Sequence, residues 1–227
     1  YHIYNRGVEK RDIFMDNQDF SVFLNYLKEY LLPKNQEVLM QQLNQSHLDN
    51  YERNEILKKL SLKNFNENLD LLAYSLLPNH LHLLVHQGEE NTIDSFMNAL
   101  GTRYVLYFNH RNKRVGPLFQ GTYKAVLVES EEQLLHLSRY IHFQAQPQHS
   151  KGVAFRKRVA WPSSYPNYLG KIPESSQPWV KSKLILDYFK TARKTSTKDI
   201  LSYQSFVEDG FSDTLPANLL LEETEEE

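Results

Sequence analysis

Hydrophobic positions along this chain follow two periods, and the places where one gives way to the other mark out its strands and helices. Leu81, Leu83 and Val85 alternate with His80, His82 and Leu84, the period-2 pattern of a strand. Leu71 to Leu77 reads as its partner, with Pro78-Asn79 as the turn between them. Tyr1 to Arg6 reads as a short strand ending at the Gly7 turn, and Leu118 to Val128 leads into another. Elsewhere the period is helical. Phe20, Phe23, Leu24, Leu27 and Leu31 predict a core-facing helix over 17–32, stopped by Pro33. Ile93, Phe96, Met97, Leu100, Tyr104, Tyr107 and Phe108 predict a second over 92–110, with Thr92 as N-cap. Ser130, with Gln133 at the capping-box position, opens a third, in which Leu134, Leu137 and Ile141 look inward and which Pro147 ends.

The stretch 34–66 is polar, with scattered apolar positions, and reads as one or two peripheral helices inserted between core elements. Short helices are predicted around 180–189 and 197–208. Together these elements specify an α+β fold, a central antiparallel sheet with helices packed on it, plus a small helical C-terminal appendage.

Composition narrows the chemistry. Apolar residues make up 41% of the chain, ample for a core, and there is no cysteine. That excludes disulfides and thiolate metal sites, leaving His, Gln, Asn and carboxylates as ligands; it fits a cytoplasmic location. No apolar run approaches the roughly 18–20 residues that span a bilayer, so no membrane association is expected. The sequence opens on Tyr1 directly in strand-like sequence, so the natural N-terminus is expected to lie upstream. The net charge of −2 is set by the last residues. Glu222, Glu223, Glu225, Glu226 and Glu227 outweigh it, and the rest of the chain is net positive. Between Gly101 and Val128 stand Arg103, Arg111, Lys113, Arg114 and Lys124, with no acid and with aromatics interleaved. Local sign steers a polyanion more than the total does, and this stretch points to a nucleic-acid surface. Lys151, Arg156, Lys157 and Arg158 form a second basic cluster.

Side chains at i and i+2 leave the same face of a strand, so His80 and His82 project together. They read either as two polar residues on a half-exposed strand or as a pair able to bite one divalent metal. On the third helix Tyr140 and Gln144, four residues apart, share a face with His136. The Gln144 carbonyl can serve as a third ligand, with the Tyr140 phenol one turn away. A tyrosine oxygen can form a covalent phosphoryl intermediate while a metal polarises a non-bridging oxygen.

The blocks Leu77-Pro78-Asn79-His80-Leu81-His82-Leu83-Leu84-Val85, Gly101-Thr102-Arg103-Tyr104 with Tyr107-Phe108-Asn109, Gly116 to Ala125, and Arg139-Tyr140-Ile141-His142 resemble the REP-associated tyrosine transposases. These are part of the HUH single-strand transposase family, named for its His-hydrophobic-His pair. Trp161-Pro162-Ser163-Ser164-Tyr165 resembles the segment that follows in the family, and the likeness runs over about residues 1–170. It implies an RRM-like HUH nuclease fold over 1–170 with the insertion 34–66, while residues 171–227 read from their own pattern as an appendage that ends in a disordered acidic tail. It implies Tyr140 as the nucleophile and His80, His82 and Gln144 as ligands for Mg²⁺ or Mn²⁺. The implied partner is single-stranded DNA with hairpins, as in repetitive palindromic elements, cleaved and rejoined through a 5′-phosphotyrosine. From their charge and aromatic pattern Arg6, Arg103, Arg111, Lys113, Arg114, Phe119, Gln120, Tyr123 and Lys124 read as the DNA contacts, with a strand-end charge the other reading for Arg6 and packing for Phe119 and Tyr123. A monomer fits, as does a homodimer with Tyr140 supplied in trans.

Three departures qualify the likeness. Thr122 stands where relatives commonly carry Arg, Gln144-Ala145-Gln146-Pro147 replaces the usual Asn-Pro, and the insertion is long. Two other readings compete. One is a domesticated protein that binds hairpin DNA without turnover. The other is a zinc hydrolase built on His80 and His82, disfavoured by the lack of a further His or Asp just after the pair.

Overall fold

A computed structural model describes residues 1–147, 160–192 and 202–208. Its centre is a four-stranded sheet in the order β2-β3-β1-β4, built from β1 (His2–Arg6), β2 (Leu69–Leu77), β3 (His80–Gln87) and β4 (Lys124–Val126). Every pairing is antiparallel. With α1 (Asn17–Leu31) between β1 and β2, and α4 (Thr92–Arg111) between β3 and β4, the order is β-α-β-β-α-β, two interlocked split units of the RRM-like kind.

A sheet residue faces one side or the other, and here the two sides bury different cores. Ile3, Leu71, Tyr74, Leu76, Leu81, Leu83 and Val85 pack with α1 and α4. Leu72, Ala73 and Leu84 face the opposite side, against α5 (Glu131–Gln144). The register shift between Leu71 and Ala73 puts two consecutive residues on that side, the signature of a bulge.

Local chemistry accounts for most element ends. The Asp16 carboxylate caps α1 by accepting from the N–H groups of Gln18 and Asp19. The insertion folds as two helices, α2 (Gln36–Leu43) and α3 (Asn50–Ser61), the latter opened by a capping box between Asp49 and Glu52. Neither buries a residue fully. Lys34 ties the pair back by donating to the carbonyls of Leu60 and Leu62 at the end of α3.

Some boundaries differ from the sequence reading. Thr92 is the first helical residue of α4 and buried; the N-cap is Asn91, in the left-handed region at φ 60°. Ser130 does cap α5, accepting from the Gln133 N–H, but the Gln133 side chain accepts from Glu129 rather than closing the box on Ser130. The last strand is shorter than the 118–128 pattern. Phe119 makes an isolated bridge to Gly7, the chain loops away, and pairing resumes only at Lys124.

The C-terminal segment lies over the second core. α6 (Tyr165–Tyr168), α7 (Lys183–Ala192) and α8 (Tyr203–Glu208) cover α5 and the β2 side of the sheet. The outer edge of β2 is closed by backbone bonds to Pro162, Ser164 and Lys181, which leaves little edge for another chain to pair with. The basic cluster at 151–158, the start of the helix expected over 197–208 and the acidic tail lie outside the described residues.

Candidate active site

Directly opposed residues in an antiparallel pair share a face. His80 lies opposite Arg6 and Leu77, His82 opposite Tyr4 and Ser75, and Leu84 opposite His2 and Ala73. β4 adds Lys124 beside Tyr4 and Val126 beside His2. The face turned toward α5 therefore carries a polar strip in the middle of an apolar surface. His80 and His82 do project together, their ring centroids 5.1 Å apart and the rings nearly perpendicular.

Tyr140 reaches this strip from α5. Its ring stands edge-on to His82, with 5.6 Å between centroids, and edge-on to His2 at 6.4 Å. Gln144 follows one turn later as the last residue of α5, half-buried.

What fixes α5 is a chain of buried hydrogen bonds centred on His142. Nε2 of His142 is 2.7 Å from the Ser164 hydroxyl, and Nδ1 is 2.7 Å from the Tyr203 hydroxyl. The protons can be assigned in one consistent direction. Ser164 Oγ–H donates to Nε2, Nδ1–H donates to Tyr203 Oη, Tyr203 donates to Ser138, and Ser138 donates to the Leu135 carbonyl. Ser164 also accepts from the Tyr74 N–H on β2 at 2.9 Å. Helix, strand and C-terminal segment are thus joined two residues from Tyr140.

Burial sets the electrostatics. It lowers the His80 and His2 imidazoles to about 4, with Arg6 adding to the effect on His80, and holds fully buried His82 well below its usual value. All three rings are neutral at pH 7, and a neutral imidazole carries one N–H and one lone pair. His80 Nδ1 sits 2.6 Å from the Asn79 side-chain oxygen, which can only accept, so the lone pair is on Nε2. The amide is oriented by its own donation to the Lys10 carbonyl. His82 Nδ1 lies 3.0 Å from His2 Nε2, while His82 Nε2 is buried with no partner.

Two neutral imidazoles on one strand face, one with a bare Nε2 and the other with a buried Nε2 that has no partner, form a donor set that fits a divalent ion. Among the described residues no three His, Cys, Asp or Glu side chains group to hold a metal. A third protein ligand would then be a neutral oxygen, as the Gln144 amide offers. Two other histidines are occupied elsewhere. His86 pairs with Asp70 at 3.6 Å, and His136 lies against Phe206 on α8.

The basic and aromatic residues read from the sequence divide into two groups. Arg6, Gln120 and Lys124 come to the site. The Arg6 guanidinium reaches the Gln120 amide at 3.4 Å and leaves its Nε buried and unpartnered, while Lys124 lies over the Tyr4 ring. The others belong to α4 or the loop after it, across the sheet from the histidines. Arg103 is paired with Glu29 at 2.5 Å and stacked on Tyr26 at 3.8 Å. Arg111 forks onto Asp16 and buried Asp19. Arg114 binds Asn109 and lies over Phe108, and Lys113 is exposed. Tyr123 donates to Asp94, and Phe119 packs against the first core. Between α4 and this loop opens a cleft of about 350 Å³, lined among others by Gly101, Phe119 and Tyr123.

The site thus sets a histidine pair on a strand against a tyrosine on the helix above it, and the Gln144 amide follows one turn along that helix. Residues 38–144 match the family model described as Transposase IS200 like. The matched segment spans just under half of the chain. It runs from α2 to the last residue of α5, and so includes His80, His82, Tyr140 and Gln144 but not β1. A comparison with curated proteins found no match, and a comparison with solved structures found none either. Among the described residues no helix is long and apolar enough to cross a membrane.

Sequence reasoning missed His2 and Tyr4. Their signal was present in the alternation of His2, Tyr4 and Arg6 along β1, which puts three polar-edged residues on one face. Only the β1–β3 register could say that this face is the one bearing His80 and His82.

Proposed function

We propose that this chain is a transposase of the REP-associated tyrosine kind, cutting and rejoining single-stranded DNA beside hairpins. Tyr140 is the nucleophile, and His80, His82 and Gln144 hold Mg²⁺ or Mn²⁺. The observation that carries the reading is the orphaned Nε2 of neutral, fully buried His82 beside the Tyr140 ring. The metal, when bound, would supply a Lewis acid for a non-bridging phosphate oxygen. The phenol oxygen forms a bond to phosphorus as the bond to the 3′ oxygen breaks, and the phenol proton ends on that leaving oxygen. A 5′-phosphotyrosine and a free 3′-hydroxyl result, and attack by another 3′-hydroxyl reverses the step and joins strands. Arg6 and Lys124 are the cations placed to meet the phosphate backbone on this face.

A second reading, a hairpin-DNA binding protein without turnover, is favoured by the closure of the site. Tyr140 is 5% exposed and His82 not at all. End-labelled single-stranded hairpin oligonucleotides incubated with the protein and Mn²⁺ decide between them on a denaturing gel. A metal-dependent protein–DNA adduct that disappears in Tyr140→Phe supports the transposase. Binding to the hairpins with no adduct in wild type supports the binding protein.

A further inference from the structure

His2 lies outside the segment that matches a family, yet its ring lies beside that of His82 and nearly parallel to it, with 5.2 Å between centroids and 16° between planes. The register explains how. His2 opposes Leu84, so His82 is its diagonal neighbour on the adjoining strand, a separation that aromatic side chains bridge. Both rings are fully buried.

Two neutral imidazoles share four ring nitrogens and two protons. The 3.0 Å contact between His2 Nε2 and His82 Nδ1 uses one proton, which leaves two arrangements. Either His82 carries Nδ1–H and keeps a bare Nε2, or His2 carries Nε2–H and His82 is protonated at Nε2. Only the first can ligate a metal through the His82 Nε2, which, like the His2 Nδ1, is buried without a partner. His80 receives the same treatment from another group, since Asn79 accepts its Nδ1–H and frees its Nε2. Groups of this kind, which hold a ligand imidazole in one tautomer and one rotation, recur around metal sites.

We propose that His2 is a positioning residue for the metal centre: it accepts the Nδ1–H of His82 and thereby holds Nε2 as the ligating nitrogen. The inference rests on the metal-site reading above. It also gives β1 a part in the site that the matched segment does not contain.

Mn²⁺ binding, followed by the electron paramagnetic resonance signal of the free ion, tests it on wild type, His82→Ala, His2→Phe and His2→Gln. The expected result is loss of binding in His82→Ala and an affinity lower by about 10–100-fold in His2→Phe. His2→Gln should recover most of that loss, because its amide oxygen can accept where Nε2 did. Affinity in His2→Phe within twofold of wild type overturns the proposal while leaving the metal site intact. Equal binding by wild type and His82→Ala overturns the metal site itself, and the role of His2 with it. A readout that needs no variant is the ¹⁵N spectrum of the Mg²⁺-loaded wild type, where the His82 proton should sit on Nδ1; a proton on Nε2 refutes the proposal.

Discussion

Tyr140 on α5 meets His82 on β3 edge to face, 5.6 Å between ring centroids, so one aromatic contact joins the candidate nucleophile to the candidate ligand. The ring and the hydroxyl of Tyr140 therefore do separable things. Tyr140→Phe keeps the ring in its slot and should change unfolding free energy by no more than about 1 kcal/mol, while the covalent adduct falls below detection. Tyr140→Ala empties the slot and should cost roughly 3–5 kcal/mol. Urea denaturation beside the adduct gel checks both. An adduct surviving in Tyr140→Phe would move the nucleophile elsewhere.

The His142 network makes a prediction about stability. Ser164→Ala leaves the His142 Nε2 and the Tyr74 N–H buried without a partner, a loss of about 2–3 kcal/mol. His142→Phe should cost a similar amount, and the double variant less than the two together, since both break one network. Additive losses would mean that the bonds act independently.

Stability should fall on mild acidification. The folded values of His2 and His80 are about 4 and that of His142 about 3, against 6.5 for a free histidine, and His82 is also strongly lowered. Between those limits the unfolded chain holds more protons than the folded one, so stability rises with pH. It is complete above about 6.5 and is lost as pH drops toward 4. Each such histidine contributes up to about 1.4 kcal/mol per pH unit in that window. Asp16, lowered to about 2 by Arg111, acts only below 3.8 and does not confuse the reading. Unfolding free energies at pH 7, 6 and 5 test this, and His142→Phe should flatten the slope by one histidine's share.

Arg111 should behave as a folding residue rather than a DNA contact. Its removal leaves Asp19, which is fully buried, with only the Met15 N–H and the Tyr107 hydroxyl. Arg111→Ala should destabilise the fold, read as a lower urea midpoint, because it leaves the Asp19 carboxylate buried without its cation. Lys124→Ala, by contrast, should leave stability alone and reduce the salt dependence of single-stranded DNA binding by about one phosphate contact. Arg103→Ala should not change that slope, since its guanidinium is already held by Glu29 and Tyr26.

Gly7 is a test of how the His80 end of the sheet is built. Its N–H donates to the Asn79 carbonyl at 2.8 Å, and a Cβ there would come within 2.2 Å of the Arg11 carbonyl oxygen. Gly7→Ala must shift backbone, so it should destabilise the fold by about 1–3 kcal/mol and weaken Mn²⁺ binding by moving Asn79. Calorimetry of the variant with and without Mn²⁺ measures both.

What the sequence determined by itself is whatever depends on neighbours along the chain. Period two put His80 and His82 on one face, period 3.6 put Tyr140 and Gln144 on another, and the Ser130 cap started the helix between. The sheet and its flanking helices followed from the same periods. The tertiary structure alone decided how those faces meet, because strand register and helix packing are set by contacts between residues far apart in sequence. It turned the His2 side of β1 toward His82. It also sent Arg103 and Arg111 across the sheet to Glu29, Asp16 and Asp19, although in the linear chain they stand among cations with no acid near. A charge or an imidazole takes its role from the partner that folding brings within about 3 Å, and periodicity carries no information about that partner.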